Sequence, residues 1–144
     1  MLVRQILNAK PNGKVLTLPP GTPITEAVAM LSANRIGAVI ISPDGDEALG
    51  ILSERDIVRE LGKRGTGCLT DTVDDLMTRN LQHCTSDSTA DQVLTQMTDG
   101  RFRHLPVIEA GKMIGLISIG DVVKARLSEL SMERDALADM VMGH

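Results

Sequence analysis

The chain carries the same pattern of nine residues twice. Gly50-Ile51-Leu52-Ser53-Glu54-Arg55-Asp56-Ile57-Val58 matches Gly115-Leu116-Ile117-Ser118-Ile119-Gly120-Asp121-Val122-Val123, an offset of 65. Gly, Ser and Asp coincide, and the apolar positions agree in type. Earlier in each copy, Arg35-Ile36-Gly37-Ala38-Val39-Ile40-Ile41 matches Arg101-Phe102-Arg103-His104-Leu105-Pro106-Val107 at an offset of 66, so the connection that follows is one residue shorter in the second copy. Self-similarity at a fixed period means one supersecondary unit made twice, and a unit this small cannot bury a core alone. Two units, 11–62 and 76–126, account for most of the 144 residues. They leave an N-terminal segment (1–10), a linker (63–75) and a C-terminal helix extension (127–144).

Each unit reads as β-α-β-β-α. In the first, Pro19-Pro20-Gly21-Thr22-Pro23 is a loop, with Thr22 placed to cap a helix and Pro23 at its first position. Ile24, Ala27, Val28 and Leu31 then recur at helical spacing. The apolar run 38–41 is a short strand ended by the turn cluster 42–46, and 48–52 returns as the second arm of a hairpin. Ser53 opens a helix that Gly62 should stop. The second unit follows with a helix over 89–99, strands near 105–108 and 113–118, and a long helix from Ile119 to near Met142. A short extended piece precedes each first helix, at 15–18 and 82–85. The expected class is therefore mixed α/β (α+β): two repeats packed sheet-to-sheet over a shared core as one pseudo-twofold module. The glycine-rich stretch 62–72 suits a surface loop between them.

Composition narrows the function. The net charge is −4 with no basic run, which makes the chain a poor partner for nucleic acid. With no Trp, no Tyr and one Phe it has no aromatic stacking platform. The longest apolar run is far short of the roughly 18 residues that span a bilayer, and the N-terminus lacks a cleavable leader. A soluble cytoplasmic protein, with neither nucleic acid nor membrane as partner, is the expectation. Cys68 and Cys84 form no CxxC motif. His83 and Cys84 are neighbours in an extended piece and point to opposite faces, so with His104 they make no metal site. There is no Ser-His-Asp signature, no P-loop and no Gly-x-Gly-x-x-Gly after a strand. Nothing argues for an enzyme or a catalytic cofactor.

Repeated β-α-β-β-α units with Gly-aliphatic-aliphatic-Ser-x-x-Asp at the second helix resemble the cystathionine-β-synthase (CBS) domain. The strand Arg103-His104-Leu105-Pro106-Val107-Ile108 adds to that likeness, which covers about residues 10–126. The whole resembles a stand-alone bacterial CBS pair of the signal-transduction type, and is similar to the regulatory insert of inosine monophosphate dehydrogenase. The resemblance implies a non-enzymatic regulatory module. It would sense an adenine nucleotide (AMP, ADP, ATP or NAD), associate as a homodimer and signal to an unidentified protein effector. The alternative is a ligand-free dimerisation or protein-interaction module.

A carboxylate accepts two hydrogen bonds at once and so suits a ribose diol, which makes Asp56 and Asp121 candidates. Ser53 and Ser118 open the same helices, where free N–H groups and the helix dipole favour phosphate. Ser-x-x-Asp at a helix start is equally the pattern of a capping box, and one serine can serve both roles. In the CBS family each site is composite, and the resemblance implies two here. The first joins Ile51, Ser53 and Asp56 to His83, Thr85, Arg103, His104, Leu105 and Pro106. The second joins Leu116, Ser118 and Asp121 to Leu16, Thr17, Ile36, Gly37, Ala38 and Ile40. Arg103 and His104 stand where the second site has Gly37 and Ala38, so the first should prefer the more charged ligand end. Arg35 and Arg101 either serve these sites or balance helix ends. In the last helix Val123, Leu127, Leu130, Leu137 and Val141 follow 3–4 spacing, broken by Arg134, as a dimer seam would.

Overall fold

The computed structural model describes residues 1–10 and 15–143. The expected start of the first unit at residue 11 and the chain end at residue 144 lie outside them. Strands β1 (Thr17–Leu18), β2 (Ala38–Ile41) and β3 (Gly50–Ser53) form a sheet in that order. β1 runs parallel to β2 through the crossover helix α2 (Ile24–Asn34), and β2 pairs antiparallel with β3. Helix α3 (Glu54–Arg64) follows β3 directly. The second half repeats the plan with α5 (Ala90–Gly100), β4 (His104–Glu109), β5 (Lys112–Ser118) and α6 (Ile119–Val141). One parallel bridge, Cys84 to Val107, takes the place of its first strand.

All four residues of β2 are buried, as an unbroken aliphatic run covered on both faces should be. Val39 and Ile41 enter the apolar cluster of the first half. Ala38 and Ile40 alternate to the opposite face. The interior divides into two clusters, one per half, where a single shared core was expected. The reason is that each half is completed by a short helix from outside its own unit. Helix α1 (Val3–Ala9) lends Val3 and Ile6 to the second-half cluster. Helix α4 (Val73–Leu76) lends Val73 and Leu76, with Met77 behind them, to the first-half cluster. The docking is the same twice: Val3 N–H donates to Ser88 O and Val73 N–H to Thr22 O, each at 2.8 Å. A glycine makes room at each place. A Cβ on Gly50 would stand 2.5 Å from Met77 Sδ, and one on Gly115 would stand 2.8 Å from the Leu7 methyls.

Three local expectations are revised. Pro23 is the residue before α2 and caps nothing with its side chain, while Thr22 turns its hydroxyl back to Pro19 O at 2.7 Å. α3 runs through Gly62 to Arg64 and stops at Gly65, whose φ of +66° an L-residue rarely adopts. The stretch expected as an open loop instead folds into a 3-10 helix over Gly65–Thr70 that packs on α2 and α3 and buries Cys68 completely.

Candidate functional site

The helix starts at both Ser-x-x-Asp motifs are built alike. Ser53 N–H and Oγ–H donate to Asp56 Oδ2 at 2.9 and 3.0 Å, and Asp56 N–H returns to Ser53 Oγ at 3.3 Å. Ser118 N–H donates to Asp121 Oδ2 at 2.9 Å, and Asp121 N–H to Ser118 Oγ at 3.1 Å. Both are capping boxes, which satisfy donors that a helix start leaves free. The carboxylates differ in their third partner. Arg59, one turn further along α3, holds Asp56 Oδ1 at 2.8 Å, leaving Oδ2 to the box. Lys10, just past the end of α1, reaches Asp121 Oδ2 at 2.9 Å and Leu116 O at 2.9 Å. Burial pushes the Asp121 carboxyl up, but the Ser118 N–H and the Lys10 ammonium outweigh it and hold the group below the usual carboxylate range.

Two clefts open between the halves at these helix starts. The first, about 360 Å³, takes Ile51, Ser53 and Asp56 from the first half and Arg103, His104, Leu105 and Pro106 from the second. The second, about 630 Å³, takes Leu116 and Ser118 from the second half and Leu16, Ile36, Gly37 and Ala38 from the first. Both volumes fall in the range of small-molecule sites. Each cleft is composite because the strand of one half faces the helix start of the other. His104 and Gly37 line both, and the imidazole lies 3.4 Å from where a Gly37 Cβ would stand. Burial lowers the His104 pKa from its ordinary 6.5, against the pull of Glu54 and Asp121, so the ring is neutral at pH 7.

Five named residues stand apart. His83 and Thr85 are exposed and outside the first cleft, whose wall there is Thr78, Asn80, Leu81 and Gln82. The physical reason is register. Cys84 pairs with Val107 and turns into the core, so its neighbours turn to the outside. In the second cleft Leu16 lines the wall but Thr17 does not, and Ile40 is fully buried in the sheet. Asp121 lies behind Lys10, which is the residue that meets the cavity.

The sequence reading named Arg103 and left the roles of Arg35 and Arg101 open, but missed Arg55, Arg59 and Lys10 as lining residues. Arg55, Arg59, Arg101 and Arg103 put four guanidinium groups around the first cleft, against Glu54 and Asp56. Lys10 and Arg35 are the charged residues lining the second. Arg35 and Arg101 each follow the end of α2 and α5 in left-handed conformation, with φ of 52° and 57°. They line opposite clefts. The signal for Lys10 was present: Val3-Arg4-Gln5-Ile6-Leu7 matches Val73-Asp74-Asp75-Leu76-Met77 in apolar pattern, which aligns Lys10 with Asn80. Among the described residues no group of His, Cys, Asp or Glu could hold a metal ion, and no helix is long and apolar enough to cross a membrane.

Comparison with known proteins agrees with this architecture. A CBS-domain containing protein of Agrobacterium tumefaciens superposes with a TM-score of 0.83 at 44% identity, covering 88% of this chain and 99% of that one. A CBS domain pair solved with methylthioadenosine and S-adenosylmethionine gives a TM-score of 0.77 at 24% identity, over 90% of this chain and 98% of that one. A CBSX2 structure in complex with AMP gives 0.72 at 23%, over 88% of this chain and 97% of that one. These last two likenesses show the fold. Among curated relatives, a CBS domain-containing protein of Arabidopsis thaliana is 33% identical over 90% of this chain, which spans only 24% of that protein's length. The CBS domain family profile matches twice, over residues 3–63 and 73–128, each match opening at the valine of a crossed helix. The chain belongs to the CBS domain family and is a tandem pair of its repeats.

Proposed function

We propose that the chain is a non-catalytic regulatory module that binds an adenine nucleotide, with AMP, ATP and NAD as the candidates, in one or both clefts. The pair dimerises, changes shape on binding and passes that change to a protein effector. One observation carries the reading. Each cleft joins a helix N-terminus bearing Ser-x-x-Asp to the central strand of the opposite half, so a ligand spanning it touches both halves. Such a ligand shifts the arrangement of the halves only by its difference in affinity for two arrangements. Pairs of the same fold solved with AMP, and with methylthioadenosine and S-adenosylmethionine, support the ligand class.

The test is thermal unfolding of nucleotide-stripped protein with AMP, ADP, ATP, NAD and S-adenosylmethionine. A ligand at 100 times its Kd adds about 2.7 kcal/mol, a shift of several degrees in a chain of this size. The expected result is a shift with at least one adenine ligand, reduced in Asp56→Ala or Asp121→Ala. One observation favours the ligand-free interaction module instead: both carboxylates already hold capping and cationic partners. No shift with any ligand at millimolar concentration would establish that second reading and overturn the first.

A further inference from the structure

Ser53 and Asp56 both line the first cleft, but of the matching pair only Ser118 lines the second. Lys10 makes the difference. Its ammonium covers the Asp121 carboxylate, 2.9 Å from Oδ2, and holds Leu116 O at 2.9 Å. The segment that carries it is anchored, since Leu7 packs over Gly115 and lines the same cleft. The residue aligned with Lys10 in the first cleft is Asn80, and there the cation on the carboxylate is Arg59, which takes Oδ1 from within the same helix. The Lys10–Asp121 pair is partly shielded from water, its side chains 31% and 23% exposed. An ammonium in such a place that loses its carboxylate must meet another anion or bear the cost of an unsatisfied charge. Lys10 and Arg35 are the charged residues lining this cleft, and no acid is among its described lining. A bare nucleoside offers its diol to Asp121 and nothing to the displaced ammonium. A phosphorylated one offers a diol for the carboxylate and an oxyanion for Lys10.

We infer that Lys10 is a specificity-determining residue, which makes the second cleft select a phosphorylated adenosine over the bare nucleoside. The inference rests on the adenine reading proposed above and names what one of its clefts selects. The basis of selection is an exchange of partners: Lys10 gives up Asp121 only to a ligand that brings its own negative charge.

Amide NMR titration of the isotopically labelled full chain, with adenosine and with AMP, tests it cleft by cleft. Ala38 and Leu116 report on the second cleft, Ile51 and Thr78 on the first. In the wild type the second cleft should bind AMP about tenfold more tightly than adenosine. Lys10→Met keeps the length of the side chain and removes its charge. In that variant AMP should weaken about tenfold at the second cleft and adenosine tighten about threefold, with the first cleft unchanged. Changes of opposite sign are what a merely structural lysine would not produce. If both ligands weaken alike, or neither changes, the inference is overturned and the adenine reading stands. Binding at the first cleft alone has the same meaning. If Lys10→Met fails to fold, Asp121→Asn decides: asparagine still caps the helix but frees Lys10, so the preference for AMP should widen, and an unchanged preference overturns the inference. If neither probe binds at either cleft, the inference and the adenine reading fall together.

Discussion

The two clefts share a backbone and differ in charge. In both, a serine and an aspartate three residues on close a helix start. Beyond that box the first cleft gathers four guanidinium groups in about 360 Å³, while the second has Lys10 and Arg35 around about 630 Å³. The repeated motif therefore builds the cleft, and the residues that do not repeat distinguish one cleft from the other. The carboxylates show the same division. Asp56 is held by a residue of its own helix, Asp121 by a lysine from the far end of the chain.

The sharpest way to break this comparison is at the glycines beside each cleft. Gly50→Ala would press its methyl on Met77 Sδ and, at 3.0 Å, on the Thr78 carbonyl, so about 2–3 kcal/mol of stability should be lost in urea unfolding. Gly115→Ala meets only Leu7 side-chain atoms, which can turn away, and should cost less than half as much. Equal losses would mean the two docked helices are held alike. Next come the carboxylates. Asp56→Ala removes the acceptor of a buried capping box and should cost about 1–2 kcal/mol, Asp121→Ala about 1 or less, since the Asp121 side chain is more open at 23%.

Charge preference is the third comparison. Arg103→Ala should weaken ATP about tenfold by isothermal titration and leave adenosine within about twofold, because Arg103 is one of the cations of the first cleft and does not line the second. Equal losses for both ligands would remove Arg103 from the phosphate end. His104→Ala should disturb both clefts, since the imidazole lines each. The smallest effect is on pH. The folded His104 has a pKa below its ordinary 6.5, so the unfolded chain takes up the proton first. Stability from this residue is complete above that value and declines as pH falls beneath it. His104→Gln should flatten that part of the stability profile while leaving the steeper loss at lower pH, where Asp121 protonates, in place.

Much of this was legible in the chain. The nine-residue repeat placed β3 with α3 and β5 with α6, and named Ser53, Asp56, Ser118 and the central strands as cleft residues. Such matches carry because capping and apolar alternation are local rules. The failures are all non-local or a matter of one residue. His83 stood in for Gln82 because a period of two turns any single-residue slip into the wrong face. Arg59 and Lys10 were missed because neither sits in the repeated motif. The crossed helices were missed because their likeness is a bare apolar pattern, Val-x-x-Ile-Leu against Val-x-x-Leu-Met, without a polar signature.

Those crossed helices bear on how the chain comes into being. As it leaves the ribosome, the first half emerges with a gap in its interior that only Val73 and Leu76 can fill. Val3 and Ile6, made first, must wait for a cluster that is not complete until Val122 and Ala125 have been added. The first repeat has its whole cluster once Met77 is made, whereas the second must draw α1 back from the far end of the chain, and contacts of such long sequence separation slow folding. Heat should therefore melt both halves in one transition, and a nick in the connection between them should leave two fragments still clasped.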